Sequence, residues 1–239
     1  MNLIVAQVLT LFAFMVGGIV FYFEAKRRKL ATEGVGRITV AALVGGLIGA
    51  KLTELIFGSG PSLFESPWLL FNPATGGRTI IGGIIAGWIA VEIVKWRLGI
   101  RRSTGDMFAL ALPAGEAIGR IGCFIGGCCF GIETSVPWAV WQHGEYRHPT
   151  QLYLASAAAL TFVCVWRLRS RLPEGALFAV YLALFGSYRL VIEFFRAREI
   201  VFGGLSTAQW VSVELIVSSI ILLAYRLRKS ALMETTNSG

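Results

Sequence analysis

Apolar residues in this chain gather into long stretches, and most of the charged residues lie between them. Seven stretches stand out, at about 3–23, 38–57, 79–96, 106–128, 150–168, 175–195 and 208–225. Each is long enough to cross a hydrocarbon core of ~30 Å as a helix. The pattern predicts an all-α integral membrane protein with about seven transmembrane helices in a single domain, 1–239. The first stretch reads as a transmembrane helix and not as a cleaved signal peptide. No basic segment precedes it and no small-x-small site ends it. Before the third stretch, Gly58, Gly60, Pro61, Pro67, Pro73, Gly76 and Gly77 mark a turn-rich loop.

Composition agrees with this reading. Of the 239 residues, 55% are hydrophobic, and the mean hydropathy of +0.67 is too high for a soluble domain of this length. The net charge of +8 could suggest nucleic acid, but its placement argues otherwise. The basic residues form short clusters between apolar runs, as topology signals do, so no nucleic-acid partner is expected. Lys26, Arg27, Arg28, Lys29 and Arg37 lie between the first two helices. Lys95, Arg97, Arg101 and Arg102 follow the third; Arg167, Arg169 and Arg171 follow the fifth; Arg226, Arg228 and Lys229 end the seventh. That places fifteen on one side of the membrane, against Arg78, Arg147, Arg196 and Arg198 on the other. The positive-inside rule then predicts the N-terminus out and the C-terminus in.

Orientation assigns each remaining polar residue a depth. Lys51 and Glu54 share a face in the outer third of the second helix, and Arg78 precedes the third helix on the outside. The fourth helix runs outward from Asp106, so Arg120 lies past its middle and Cys123, Cys128 and Cys129 lie near its exit. Arg189, Glu193 and Arg196 are spaced i, i+4, i+7 and fall on one stripe of the sixth helix. His148 opens the fifth helix on the outer side. Glu92, Lys95 and Glu116 stand apart from this outer set, the first two as an i, i+3 pair.

A charge at bilayer depth is expensive, roughly 2.5–3.5 kcal/mol or more at a helix centre. Plain readings exist for several of these groups. Arg189–Glu193 and Lys51–Glu54 fit structural ion pairs, Arg196 fits snorkelling to the interface, and His148 fits a helix-opening residue before Pro149. Arg120 is the hardest to dismiss, since only Glu116, one turn earlier, could partner it on its own face. Taken together, cations outnumber acids in the outer set. That excess suits an anionic ligand, and planar guanidinium suits a phosphate such as a phospholipid head group. For Cys123, Cys128 and Cys129, packing, a disulfide and a nucleophilic thiol all remain open. Packing is favoured for Cys129 and for Cys164. The spacing C-x4-C-C completes no zinc pattern, so no metal ligands and no cofactor are expected.

Four segments carry a resemblance. They are Gly76-Gly77-x4-Gly82-Gly83; Gly119-Arg120-Ile121-Gly122-x-Phe124-Ile125-x-Gly127, ending at Gly131; His148-Pro149-Thr150-Gln151-Leu152-Tyr153; and Arg189-x3-Glu193-Phe194-Phe195-Arg196. In this order, across seven spans, the chain resembles the prolipoprotein diacylglyceryl transferases. The resemblance implies a multi-pass enzyme of the bacterial plasma (inner) membrane. Such an enzyme moves a diacylglyceryl group from phosphatidylglycerol to the lipobox cysteine of an exported lipoprotein precursor. It implies catalytic roles for Arg120, Arg189 and Glu193, the arginines on the head group and Glu193 orienting an arginine. Arg196, His148, Arg78, Cys123, Cys128, Gly131, Gln151 and Tyr153 then become substrate-binding candidates. The chain departs from the family pattern at Ile81, Cys123, Gly126, Cys128, Leu154 and Phe185. The departures keep two alternatives in view: a phospholipid-using transferase with another acceptor, and a non-catalytic phospholipid-binding protein or transporter.

Overall fold

Helices occupy all seven apolar stretches. They are α1 (Leu3–Arg27), α2 (Thr32–Phe57), α3 (Ile80–Arg97), α4 (Gly105–Gly126), α5 (Thr150–Leu168), α6 (Ala176–Glu193) and α7 (Thr207–Asn237). The structure, a computed structural model, describes residues 2–30, 32–57, 80–196 and 203–237. Six of the helices, α1, α2 and α4 to α7, are long and apolar enough to cross a membrane. The chain is an all-α multi-pass membrane protein, as the stretches predict. One small addition was not legible in them. Between α4 and α5, β1 (Val140–Gln142) and β2 (Glu145–Arg147) form an antiparallel hairpin. Its turn residues His143 (φ 54°) and Gly144 (φ 84°) both take positive φ, the geometry that matches strand twist in a two-residue turn.

The chain forms two compact units, residues 25–102 and residues 1–24 with 103–239. In the first, α2 packs along α3 through small residues. A Cβ on Gly49 would strike the Gly82 carbonyl, and one on Gly82 would strike Thr53. Within lipid, helices associate by such close packing, because the tails are as apolar as the side chains. Lys95 is buried and pairs with Glu92 at 2.7 Å, the i, i+3 pair read from the sequence.

The second unit holds α1 and α4 to α7. Its core joins Ala109 and Leu110 of α4, Val165 of α5, and Leu177 and Tyr181 of α6, with Val20, Phe162 and Phe185 around them. Gly115 and Gly122 bring α4 against α1: a Cβ there would lie 3.0 Å from the Ala13 carbonyl oxygen and 3.2 Å from that of Ala6. Polar contacts then fix register. Asp106, fully buried in the first turn of α4, accepts backbone hydrogen bonds from Gly175 (2.8 Å) and Phe178 (3.1 Å) at the start of α6. A carboxylate there satisfies two amides that the helix itself leaves open and suits its positive end. It also sets α4 and α6 side by side, running the same way. Ser206 and Gln209 cap α7 reciprocally: the Ser206 amide donates to Gln209 Oε1 (3.0 Å) and the Gln209 amide to Ser206 Oγ (3.3 Å).

Several boundaries differ from the apolar pattern: α1 runs on to Arg27, α2 begins at Thr32, and α6 ends at Glu193. Arg196 therefore lies just past the sixth helix and not on it, in a bridge with Gly131. The last helix continues to Asn237, because the charged segment after 225 is rich in good helix formers. The fourth stops at Gly126, two residues short of its apolar run, because Gly127 turns left-handed (φ 69°). The Gly127 amide bonds Phe124 O and the Cys128 amide bonds Cys123 O, which closes the helix as a Schellman motif.

Asp106→Ala leaves the buried Gly175 amide and the half-buried Phe178 amide without this acceptor and should cost roughly 2–4 kcal/mol of stability. Asp106→Asn keeps one acceptor oxygen and should cost less. Thermal denaturation of the detergent-solubilised protein measures the order; equal midpoints for all three forms would exclude Asp106 as the pin between α4 and α6.

Candidate functional site

With α4 and α6 pinned at their starts, their later turns meet. Glu116 and Arg120 are one turn apart on α4; Arg120 Nε and Nη2 both donate to Glu116 Oε1 at 3.2 Å. The other carboxylate oxygen accepts from the Tyr188 hydroxyl of α6 at 2.6 Å. Glu116 thus belongs with the arginine site, although its depth in the sequence sets it apart. Its i, i+4 spacing from Arg120 was the available signal; the tyrosine was not visible without the helix pairing.

The next residue on α6 is Arg189, buried, with Nη2 3.2 Å from Glu193 Oε2. Arg196 reaches the same oxygen through Nη1, also at 3.2 Å. One carboxylate therefore serves two guanidinium groups. Arg189 also lies within electrostatic range of Arg120 and Glu116, so the two pairs influence each other's charge. Two donors remain open: Arg189 Nη1 and Arg196 Nε are buried and make no hydrogen bond among the described residues. A buried charged donor without a partner costs stability. An anion with several oxygens would satisfy both.

Beyond α6 the chain turns and is tied to the segment leaving α4. Gly131 bridges Arg196, its amide donates to His148 O (3.1 Å), and the Ile132 amide donates to Phe195 O (2.9 Å). A Cβ on Gly131 would lie 2.6 Å from the carbonyl oxygens of both His148 and Phe195, so only glycine fits. Arg147 of the hairpin braces this junction, with Nη1 on Gly131 O (3.5 Å) and Nη2 on Glu133 (3.4 Å). The His148 ring lies 5.1 Å from that of Phe195. Trp138 Nε1 donates to the Tyr153 hydroxyl (2.6 Å), which lies 3.2 Å from His148 Nδ1.

Gln151 and Thr150 are fully buried at the start of α5 and face the cysteine segment. Gln151 Nε2 donates to Cys128 O (2.8 Å) and to Gln142 Oε1 (3.2 Å), and Thr150 Oγ1 donates to Cys129 O (2.9 Å). His143 Nε2 lies 2.6 Å from Gly127 O. These bonds hold Cys129 in the left-handed region (φ 59°), which costs a non-glycine residue roughly 1–2 kcal/mol. The Schellman turn and this second left-handed residue fold the chain back on α4. As a result the sulfurs of Cys123, Cys128 and Cys129 all lie within 4.8 Å of one another. Cys129, read from the sequence as packing, shares the cluster. All four cysteines are free thiols.

The thiols beyond the helix end differ in acidity. Cys129 is lowered to about 5, chiefly by a hydrogen bond from Cys123 and then by the Arg196 guanidinium, against the opposing effect of burial. Burial is the main cause that raises Cys128. Of the sequence candidates, Arg120, Arg189, Glu193 and Arg196 form one charged group. Cys123, Cys128, Gly131, His148, Gln151 and Tyr153 surround the chain segment that Gly131 joins to it. Gln151 acts there through its side-chain amide and Gly131 through its backbone. Arg78 lies outside the described residues.

Comparison with known proteins bears on this arrangement. Residues 7–225 match the family model described as prolipoprotein diacylglyceryl transferase. A phosphatidylglycerol–prolipoprotein diacylglyceryl transferase of Aromatoleum aromaticum is 35% identical over 199 residues, covering 76% of this chain and 74% of the relative. One so named from an Azoarcus species is 33% identical over 216 residues, covering 81% and 78%. Another from Campylobacter hominis is 30% identical over 213 residues, covering 82% and 76%.

Held down to about 5, Cys129 should be a thiolate at neutral pH. Its alkylation by iodoacetamide, followed by mass spectrometry in the presence of a chelator, should level off by about pH 6. An ordinary thiol, with a pKa of about 8.5, gains rate until well above pH 8. Arg196→Gln removes a favourable charge and should move the midpoint upward. A Cys129 profile still rising at pH 8 would show that the cluster does not acidify it.

Proposed function

The chain belongs to the prolipoprotein diacylglyceryl transferase family, and we propose that it transfers a diacylglyceryl group from phosphatidylglycerol to the lipobox cysteine of a prolipoprotein. The observation that carries the assignment of the site is the open donor pair. Arg189 Nη1 and Arg196 Nε, buried beside the Glu116–Arg120 pair, are poised for phosphate oxygens. Among the described residues, three guanidinium groups against two carboxylates leave an excess positive charge there. A phosphodiester supplies the missing anion, and arginine binds phosphate through two parallel N–H bonds.

The chemistry follows from this charge. The acceptor thiolate attacks the glyceryl carbon that bears the phosphate. The carbon–oxygen bond breaks, its electron pair leaves with glycerol phosphate, and the phosphate gains a negative charge. Arg120 and Arg189 face that developing charge in a site of low dielectric, where preorganised donors are most effective. Glu116 and Glu193 are positioning residues: each fixes an arginine before the lipid arrives, and Tyr188 fixes Glu116.

The site opens to the outer leaflet of the bacterial inner membrane in this reading, with the N-terminus outside. Charge distribution supports it. Within the unit of residues 1–24 and 103–239, Arg169 pairs with Glu24, and Arg226 lies against Gly175, both near the starts of α4 and α6. The arginine group lies toward the other end of these helices.

Incubation with labelled phosphatidylglycerol and a lipobox peptide should place the label on the peptide cysteine. Label retained on a protein thiol, or lipid binding without turnover, would overturn the reading. Arg120→Lys and Arg189→Lys keep the charge but lose the planar fork, and each should lower kcat/KM roughly 10²–10³-fold while the protein stays folded. Near-normal turnover in both variants would limit the arginines to a structural role.

A further inference from the structure

The three thiols at the end of α4 do more than fill space. Their sulfurs lie within 4.8 Å of one another. A four-coordinate metal with bonds of ~2.3 Å needs thiolate sulfurs about 3.8 Å apart, within reach of small side-chain rotations. The backbone that carries them is held in advance. Gln151 and Thr150 fix the carbonyls of Cys128 and Cys129, and the Cys128 amide is bonded to Cys123 O. Cys128 is exposed while Cys123 and Cys129 are half-buried, so the cluster has an open side. Among the described residues, no histidine or carboxylate joins the three sulfurs to complete a fourth position. Three protein ligands with one position open is the pattern of catalytic zinc sites; structural sites are closed by four. All-thiolate donors select soft cations.

We propose that Cys123, Cys128 and Cys129 hold a thiophilic d10 cation of the zinc class, and that the acceptor thiol takes its fourth position. The acceptor role rests on the transferase reading of the neighbouring arginine group. A free thiol is mostly protonated at neutral pH, whereas a coordinated one is deprotonated outright. On binding, the acceptor S–H bond breaks and its proton goes to water. The sulfur electron pair then forms the bond to the glyceryl carbon, and the carbon–oxygen bond to phosphate breaks. The electron pair of that bond leaves with glycerol phosphate, which departs as a dianion beside Arg120 and Arg189. The product sulfur is a neutral thioether, a poorer ligand than a thiolate, so the position reopens. The cluster is well placed for this, since Cys129 lies within electrostatic range of both Arg196 and Arg120.

The test uses the full-length protein in detergent, stripped with a chelator and titrated with cobalt(II), then zinc(II). One cobalt per chain should bind, with thiolate-to-cobalt charge transfer and the intense visible bands of a four-coordinate site, and zinc should displace it. Cys123→Ser, Cys128→Ser and Cys129→Ser should each weaken binding by more than the ~100-fold that loss of an outer-shell partner costs. Cys164→Ser, in the middle of α5, should not. Adding a cysteine lipobox peptide to the cobalt form should raise the charge-transfer intensity by about one third, three thiolates becoming four. The serine peptide should leave it unchanged. No stoichiometric cobalt, or binding that survives all three serine variants, overturns the site; a spectrum unmoved by the cysteine peptide overturns the acceptor role. Full transfer activity in the stripped protein also overturns that role and leaves the arginine reading standing. Normal cobalt spectra with no lipid transfer under any loading overturn the transferase reading and leave the three-thiol site standing.

Discussion

A guanidinium group within a membrane-spanning segment must be paired, and the second unit is organised around meeting that demand. Arg120 and Arg189 lie on different helices, and each has its carboxylate one turn away on its own helix. Such i, i+4 pairs make each helix tolerable in lipid separately. Bringing the two pairs together requires α4 and α6 to run alongside in a defined register. The Asp106 carboxylate at the start of α6 sets that register, and the Tyr188–Glu116 bond confirms it ten residues further along α4. Between these two polar pins, Leu110, Leu177 and Tyr181 fill the interface.

The pairing is deliberately incomplete by its own count of donors. Among the described residues, Glu193 accepts from two arginines through one oxygen, and two buried guanidinium nitrogens are left over. In a protein that only needed to bury these charges, a third acid or an apolar residue would be the lower-energy solution. In the reading proposed above, the phosphate of the lipid substrate would supply the missing charge.

The segment after α4 shows how backbone geometry sets the chemistry around that charge. The Schellman turn at Gly127 reverses the chain, Gly131 allows three backbones to meet, and the start of α5 holds the carbonyls of Cys128 and Cys129. Each of these is a backbone device whose side chains give little hint of it. The motif His148–Tyr153 therefore works partly as scaffold, with Gln151 and Thr150 spending their polar groups on the neighbouring loop.

The helices were legible because the hydrocarbon core imposes length and composition on a span, a constraint written locally in the chain; among the described residues six of them meet it. The glycines of α4, the i, i+4 pair Arg189–Glu193 and the family motifs were legible for the same reason, since period and order survive without coordinates. Arg196 reaches Glu193 from beyond the end of α6, where helical period no longer applies. Other features depended on contacts between distant segments. Glu116 looked isolated by depth, yet it is where α4 meets α6, because Tyr188 reaches it across 72 positions of chain. The hairpin is too short and too mixed in polarity to register as strands. The spacing of Cys123, Cys128 and Cys129 matched no ligand pattern, because spacing counts residues along a regular path. Two left-handed residues, Gly127 and Cys129, bend that path back on itself. Sequence alone determined which segments enter the membrane and which charged groups must find partners there. Only the tertiary structure decided which partners they find, because a buried charge selects its neighbour by distance in space and not by distance along the chain.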